Sequence, residues 1–192
     1  MISPEKWQLD REFTTVMRRL HWFQRHAAHG TLLSPRRRAA LELAHQGEVA
    51  AAELIRQLGL GLQVCPTTHN CPFDLWVSNA QGQAARVEVK TSLWWHNPKS
   101  KIQNPKSNGR YQANLRQHRD VDLVIFMAKN GTWWPYIIPI QAIGKRRNIA
   151  IWSECPGDYK GQWRIYLEAW QHLEQIITNS QPRSWQLSLF YS

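Results

Sequence analysis

The segment FDLWVSNAQGQAARVEVKTS, residues 73–92, carries Asp74, Glu88 and Lys90 inside two stretches that otherwise alternate like strands. Side chains on a strand point alternately to its two faces. Val87 and Val89 therefore share one face and Glu88 and Lys90 the other, while Phe73, Leu75 and Val77 leave Asp74 on the opposite face of its own strand. If the two strands pair as a hairpin through NAQGQA, Asp74 and Glu88 meet on one face. Two carboxylates that close repel each other unless a cation lies between them, and an oxygen-only ligand set suits Mg2+. The neighbouring lysine can orient and polarise a water and stabilise negative charge as it develops. Together these are parts for metal-assisted attack on a phosphodiester.

The elements that must hold these residues can be read from periodicity. Residues 5–29 have apolar positions at helical spacing with arginines between them, including Arg18 and Arg19. Ser34 offers a cap and Pro35 a first helical residue for a second helix running to about Gly59. Strands are predicted at LQVCP, FDLWVS, ARVEVKTSLWW, YQANL, DVDLVIFMAK and WWPYIIPI, with NIAIWS as an edge strand. WRIYLEAWQHLEQII returns to helical spacing. Helix, strands and helix in this order predict an α/β (α+β) domain with a mixed central β-sheet flanked by helices, preceded by an N-terminal helical extension. The expected boundaries are a basic extension over 1–33, the domain over 34–180 and a tail over 181–192.

Charge suggests the partner. Twenty-four Lys and Arg against 14 Asp and Glu give a formal net charge of +10. An excess of that size attracts polyanions through the long-range field and counterion release, which makes nucleic acid the expected partner. The basic residues are bunched, as in NPKSKIQNPKSNGR, a polar, Pro- and Gly-punctuated loop beyond the Glu88 strand that contains Lys99, Lys101, Lys106 and Arg110. There are 11 tryptophans, and Trp94 and Trp95 stand next to that loop. At most one of the pair can face a ligand, because adjacent strand residues point oppositely. No apolar run reaches the roughly 18 residues that span a bilayer. The start of the chain is charged where a signal peptide would be apolar, and three cysteines are too few for a disulfide framework. The expectation is an intracellular protein of prokaryotic type, cytoplasmic and nucleoid-associated, with no membrane partner. Cys65, His69 and Cys71 lack the usual spacing of a zinc site.

Asp74 followed by Glu88-Val89-Lys90 on the next strand resembles the active site of the PD-(D/E)xK nuclease superfamily. Upstream, GEVAAAELIRQLGLGLQV is similar to the helix before this site in Holliday junction resolvases and group I intron-associated endonucleases. Downstream, GRYQANLRQHRDVDLVIFMAKNGTWWPYIIPI resembles the intron-associated, homing-type members; the similarity covers roughly residues 45 to 145. One departure is that Pro72 precedes Asp74 by two positions, where the family commonly has proline directly before the aspartate. The resemblance implies a restriction-endonuclease-like core, Mg2+ dependence with Mn2+ as a substitute, and cleavage of double-stranded DNA. It implies that Asp74, Glu88 and the Val89 carbonyl hold the metal and that Lys90 positions the nucleophile. Among the helix carboxylates Glu42, Glu48 and Glu53, it selects Glu48 as a further catalytic group. Lys99, Lys101, Lys106, Arg110, Arg18 and Arg19 are then the expected DNA contacts. A homo-oligomer is expected, since cutting two strands generally needs two active sites. A structure-selective junction resolvase, a transposition-associated nuclease and a non-catalytic DNA-binding protein on a nuclease fold are the alternatives.

Overall fold

The computed structural model describes residues 34–67, 71–96, 109–115 and 120–182. The expected helix over 5–29, with Arg18 and Arg19, lies outside them, as do Lys99, Lys101, Lys106 and His69. The chain divides into two compact units, Met1–Glu42 and Leu43–Ser192. Ser34, in the first, caps the start of helix α1 (Pro35–Gln57) as expected, and the helix from Leu43 onward belongs to the second. The Ser34 hydroxyl accepts the Arg37 N–H at 3.3 Å and its carbonyl accepts the Arg38 N–H at 3.0 Å. The helix stops two residues before Gly59, whose φ of +69° is the left-handed conformation that glycine supplies cheaply.

In the second unit, strand β1 (Gln63–Pro66), β2 (Leu75–Ser78), β3 (Ala84–Leu93), β6 (Leu123–Asn130) and β7 (Thr132–Pro139) form a five-stranded sheet in the order β1-β2-β3-β6-β7. The pairing of β3 with β6 is parallel and the other pairings are antiparallel, so the sheet is mixed as expected. Strands β4 (Trp95–His96), β5 (Gly109–Asn114) and β8 (Asn148–Ile151) make a separate three-stranded antiparallel sheet in the order β4-β5-β8. A short helix, α2 (Ile140–Ile143), follows β7, and α3 (Gln171–Asn179) is the final helix among the described residues.

Two cores meet at β6. Leu123, Ile125 and Met127 pack with Val87 and Val89 of β3, Ala51, Ala52 and Ile55 of α1, and Leu173 and Ile177 of α3. Val124, Phe126 and Ala128 pack on the other side with Tyr111 and Ile151 of the small sheet and Ile143 of α2. Burial on both faces is why the β6 sequence is continuously apolar instead of alternating. The alternation of β3 resolves as expected, with both valines on the helix-covered side.

The predicted helix over WRIYLEAWQHLEQII is corrected. Arg164–Tyr166 forms a 3-10 turn, and the α-helix begins only at Gln171. Leu167 bridges to Tyr136, and the Glu168 N–H donates to the Pro135 carbonyl at 2.8 Å with φ of +53° at Glu168. Pairing with β7 thus outweighs helical periodicity, and Ile165, read as part of an apolar stripe, is exposed. Among the described residues no helix is long and apolar enough to cross a membrane.

Candidate active site

Asp74 lies just before β2, where the pairing Leu75↔Val87 ends. Continuing that register by one residue sets Asp74 opposite Glu88, the hairpin geometry expected from the alternation. Three hydrogen bonds fix the aspartate. Its N–H donates to the Val87 carbonyl at 2.9 Å, its own carbonyl accepts the Thr67 N–H at 2.9 Å, and its Oδ2 accepts the Val89 N–H at 2.7 Å. The carboxylate is therefore held by the backbone of the strand that carries Glu88 and Lys90. A charge-assisted bond of this kind is stronger than a neutral one and orients the second carboxylate oxygen.

Glu88 is buried, with 7% of its surface accessible. It has Val124 of β6 as its strand neighbour, and Lys90 has Phe126. Lys90 Nζ forms an ion pair with Glu88 Oε1. Burial pushes the Glu88 carboxyl above its ordinary value, opposed by the hydrogen bond and the charge of Lys90.

Glu48 occupies a different position. It is half-exposed on α1, with His45 Nδ1 at 3.9 Å from its Oε2. Among the described residues no group of three or more Asp, Glu, His or Cys side chains is placed to hold a metal ion. A cation here would take two carboxylates and complete its shell with main-chain oxygen and water. That all-oxygen, partly hydrated set fits Mg2+, which keeps several waters and commonly uses one or two carboxylates.

Two supporting contacts escaped sequence reading. The first joins Asp122 to Arg86. Asp122 Oδ2 accepts the Arg86 N–H at 2.9 Å and its Nε–H at 3.1 Å, and Oδ1 accepts from NH2 at 3.0 Å. The Asp122 N–H returns a bond to the Arg86 carbonyl at 2.9 Å, which clamps the start of β6 to β3 two residues before Glu88. The second is Gly47, where α1 comes so close to β3 that an added Cβ would lie 1.9 Å from Thr91 Oγ1. The Gly-Glu pair at 47–48 was visible in the sequence, but the strand residue facing it was not.

Arg110, the described member of the expected DNA contacts, lies on β5 with its guanidinium 5.4 Å from the Trp95 ring centre and 4.8 Å from that of Trp152. Trp94 instead packs edge-on against Tyr111 with ring centres 5.1 Å apart. One of the tryptophan pair faces in and the other out.

The chain is similar in structure to a bacterial homing endonuclease, I-Ssp6803I, with a TM-score of 0.49 and 21% identity over 68% of this chain and 90% of that one. No protein-family model matches the sequence, and no curated protein does. What the chain can do is read from its own side chains.

Proposed function

We propose that the protein is a Mg2+-dependent endonuclease that hydrolyses phosphodiester bonds in double-stranded DNA, with Asp74, Glu88 and Lys90 as its catalytic residues. The observation that carries this reading is the hydrogen bond from the Val89 N–H to the Asp74 carboxylate. It ties the Asp74 side chain to the strand on which buried Glu88 and its ion-paired Lys90 stand. The same three residues carry the resemblance to PD-(D/E)xK nucleases. A site-specific, homing-type enzyme is the member class that the downstream sequence resembles.

Asp74, Glu88 and the Val89 carbonyl would hold the cation, which when bound would neutralise charge on a phosphate oxygen as a Lewis acid. Lys90 brings a positive charge to the same face, able to orient the attacking water and to stabilise the extra negative charge on phosphorus-bound oxygen. Its ammonium is held on that face by the ion pair with Glu88. Glu48, half-exposed on α1, would assist through the metal or through water. Lys99, Lys101, Lys106 and Arg110 would engage phosphates, and the net charge of +10 favours approach of the polyanion.

The deciding experiment is plasmid nicking with Mg2+, with Mn2+ and with excess EDTA, on the wild type and on Asp74→Ala, Glu88→Ala and Lys90→Ala. Cleavage should require the cation. Each variant should lose about a hundredfold or more in rate while still binding DNA in EDTA. Robust cutting in EDTA, or wild-type rates in all three variants, would overturn the reading; DNA binding without any cutting would favour a binding protein.

A further inference from the structure

The small sheet has one face in the second core and one face open. Tyr111, Ala113, Ile149 and Ile151 are buried. Arg110 and Gln112 alternate with them and point the other way. Trp95 pairs with Arg110, and the β5–β8 register Tyr111↔Ile151, continued by one residue, sets Arg110 opposite Trp152. The result is a row of tryptophan, arginine and tryptophan across three adjacent strands, with Trp95 52% and Trp152 50% exposed.

The exposure of Trp95 is built in. Trp94 is seated over Gly109, where any Cβ would come within 2.7 Å of its ring, so its neighbour Trp95 turns outward. The Arg110 Nε–H is buried and has no acceptor among the described residues. Beside the row is a cleft of about 300 Å³ lined by Ser92, Trp95, Arg110, Gln112 and Asn114. Its lining combines an aromatic wall, a guanidinium and two amides that can both donate and accept. Ser92 lies on the same face of β3 as Glu88 and Lys90, about 7 Å beyond Lys90 along the strand.

Exposed aromatics on an open sheet face, interleaved with a cation and amides, form the kind of platform on which unpaired bases stack. A paired base keeps its π-face inside the duplex, so stacking on this row needs a base that is unpaired or turned out. We propose that this row and cleft bind one unpaired or turned-out nucleotide of the DNA substrate, next to the candidate active site. The proposal rests on DNA being the partner, as argued above.

The test is fluorescence anisotropy in EDTA with three labelled probes: a fully paired duplex, the same duplex with one unpaired thymidine, and a single strand of thymidines. The wild type should bind the duplex with the unpaired nucleotide about tenfold more tightly than the paired one, within the range that stacking of a single base supplies. Trp95→Ala and Trp152→Ala should each bring the ratio close to one, and Trp152→Phe, which keeps a π-face, should preserve it. Equal binding of paired and unpaired duplexes by the wild type would overturn the platform, as would a ratio that survives both alanine substitutions. Either result together with Mg2+-dependent nicking leaves the endonuclease reading standing. Failure to bind any probe would overturn both.

Discussion

Gly47→Ala tests whether the contact between α1 and β3 sets the position of the candidate site. On an isolated helix the substitution would stabilise by about 1 kcal/mol, because glycine is the poorer helix former. Here the new methyl would lie 1.9 Å from Thr91 Oγ1, 3.0 Å from its Cβ and 3.1 Å from its Cγ2. Removing the first overlap needs a displacement of more than about 1 Å. Thr91 is β-branched and stiff at χ1, and α1 is held by buried Ala51, Ala52 and Ile55. Overpacking of a well-filled interior costs about 1–3 kcal/mol, and an overlap this deep belongs at the upper end. The expected net loss is about 2 kcal/mol. Thr91→Ala removes the two branch atoms, including a buried hydroxyl that has no hydrogen-bond partner among the described residues, and should be close to neutral. The double variant retains only the contact with Cβ and should recover most of the loss, a coupling of about 2 kcal/mol in a double-mutant cycle. Urea unfolding followed by circular dichroism, with unchanged m-values, measures all four proteins. A Gly47→Ala protein as stable as the wild type would refute the packing argument, and so would additive effects of the two substitutions.

Three further outcomes are expected. Asp122→Asn should cost about 1.5–3 kcal/mol, the range for hydrogen bonds to a charged group, because it weakens the three bonds from Arg86; urea unfolding reads it directly. Burial raises the Glu88 carboxyl above its ordinary 4.5, so its contribution to stability is complete below that value and is lost as pH rises through the raised one. In metal-free buffer the Tm of Glu88→Gln should therefore gain on the wild type from about pH 4 to about pH 7, and a gap that instead moves in favour of the wild type would mean that the Lys90 pairing outweighs burial. Asp74→Asn keeps an oxygen to accept the Val89 N–H, whereas Asp74→Ala leaves that buried donor unmet at a cost of about 1–3 kcal/mol. The two variants should be equally inactive in nicking but differ in urea midpoint.

The local pattern around the site was legible because a two-residue period leaves few choices. Once Val87 and Val89 are assigned to the core, Glu88 and Lys90 must share the other face, and a hairpin through Asn79 brings Asp74 across from them. What period cannot reveal is which distant residues meet. Nothing in the alternation of NIAIWS identifies Trp152 as the neighbour of Arg110, and nothing near Gly47 names Thr91. The misread helix before Gln171 has the same origin, since Leu167 fits a helical stripe equally well until β7 supplies a bridging partner. Glu48 was selected by resemblance, since helical period alone does not distinguish it from Glu42 and Glu53.

The location of the site follows from a mismatch in strand length. β2 spans four residues and β3 spans ten, so the antiparallel ladder between them ends at Leu75↔Val87 while β3 runs on against β6. Beyond that point the β2-facing side of β3 has, among the described residues, no strand paired to receive its backbone donors, a condition that proteins must cover or use. Asp74 covers one, taking the Val89 N–H with its side chain instead of its backbone. This leaves Glu88 and Lys90 on the part of β3 that runs beyond the β2 ladder, paired with β6 on one side. Burial of Glu88 beside Val124 costs stability, and the clamp of Arg86 on Asp122 two residues away secures the strand against that cost. An acidic pair with one member tied to the strand by a side-chain-to-backbone bond is preorganised for charge, the property that the proposed attack on a phosphodiester would require.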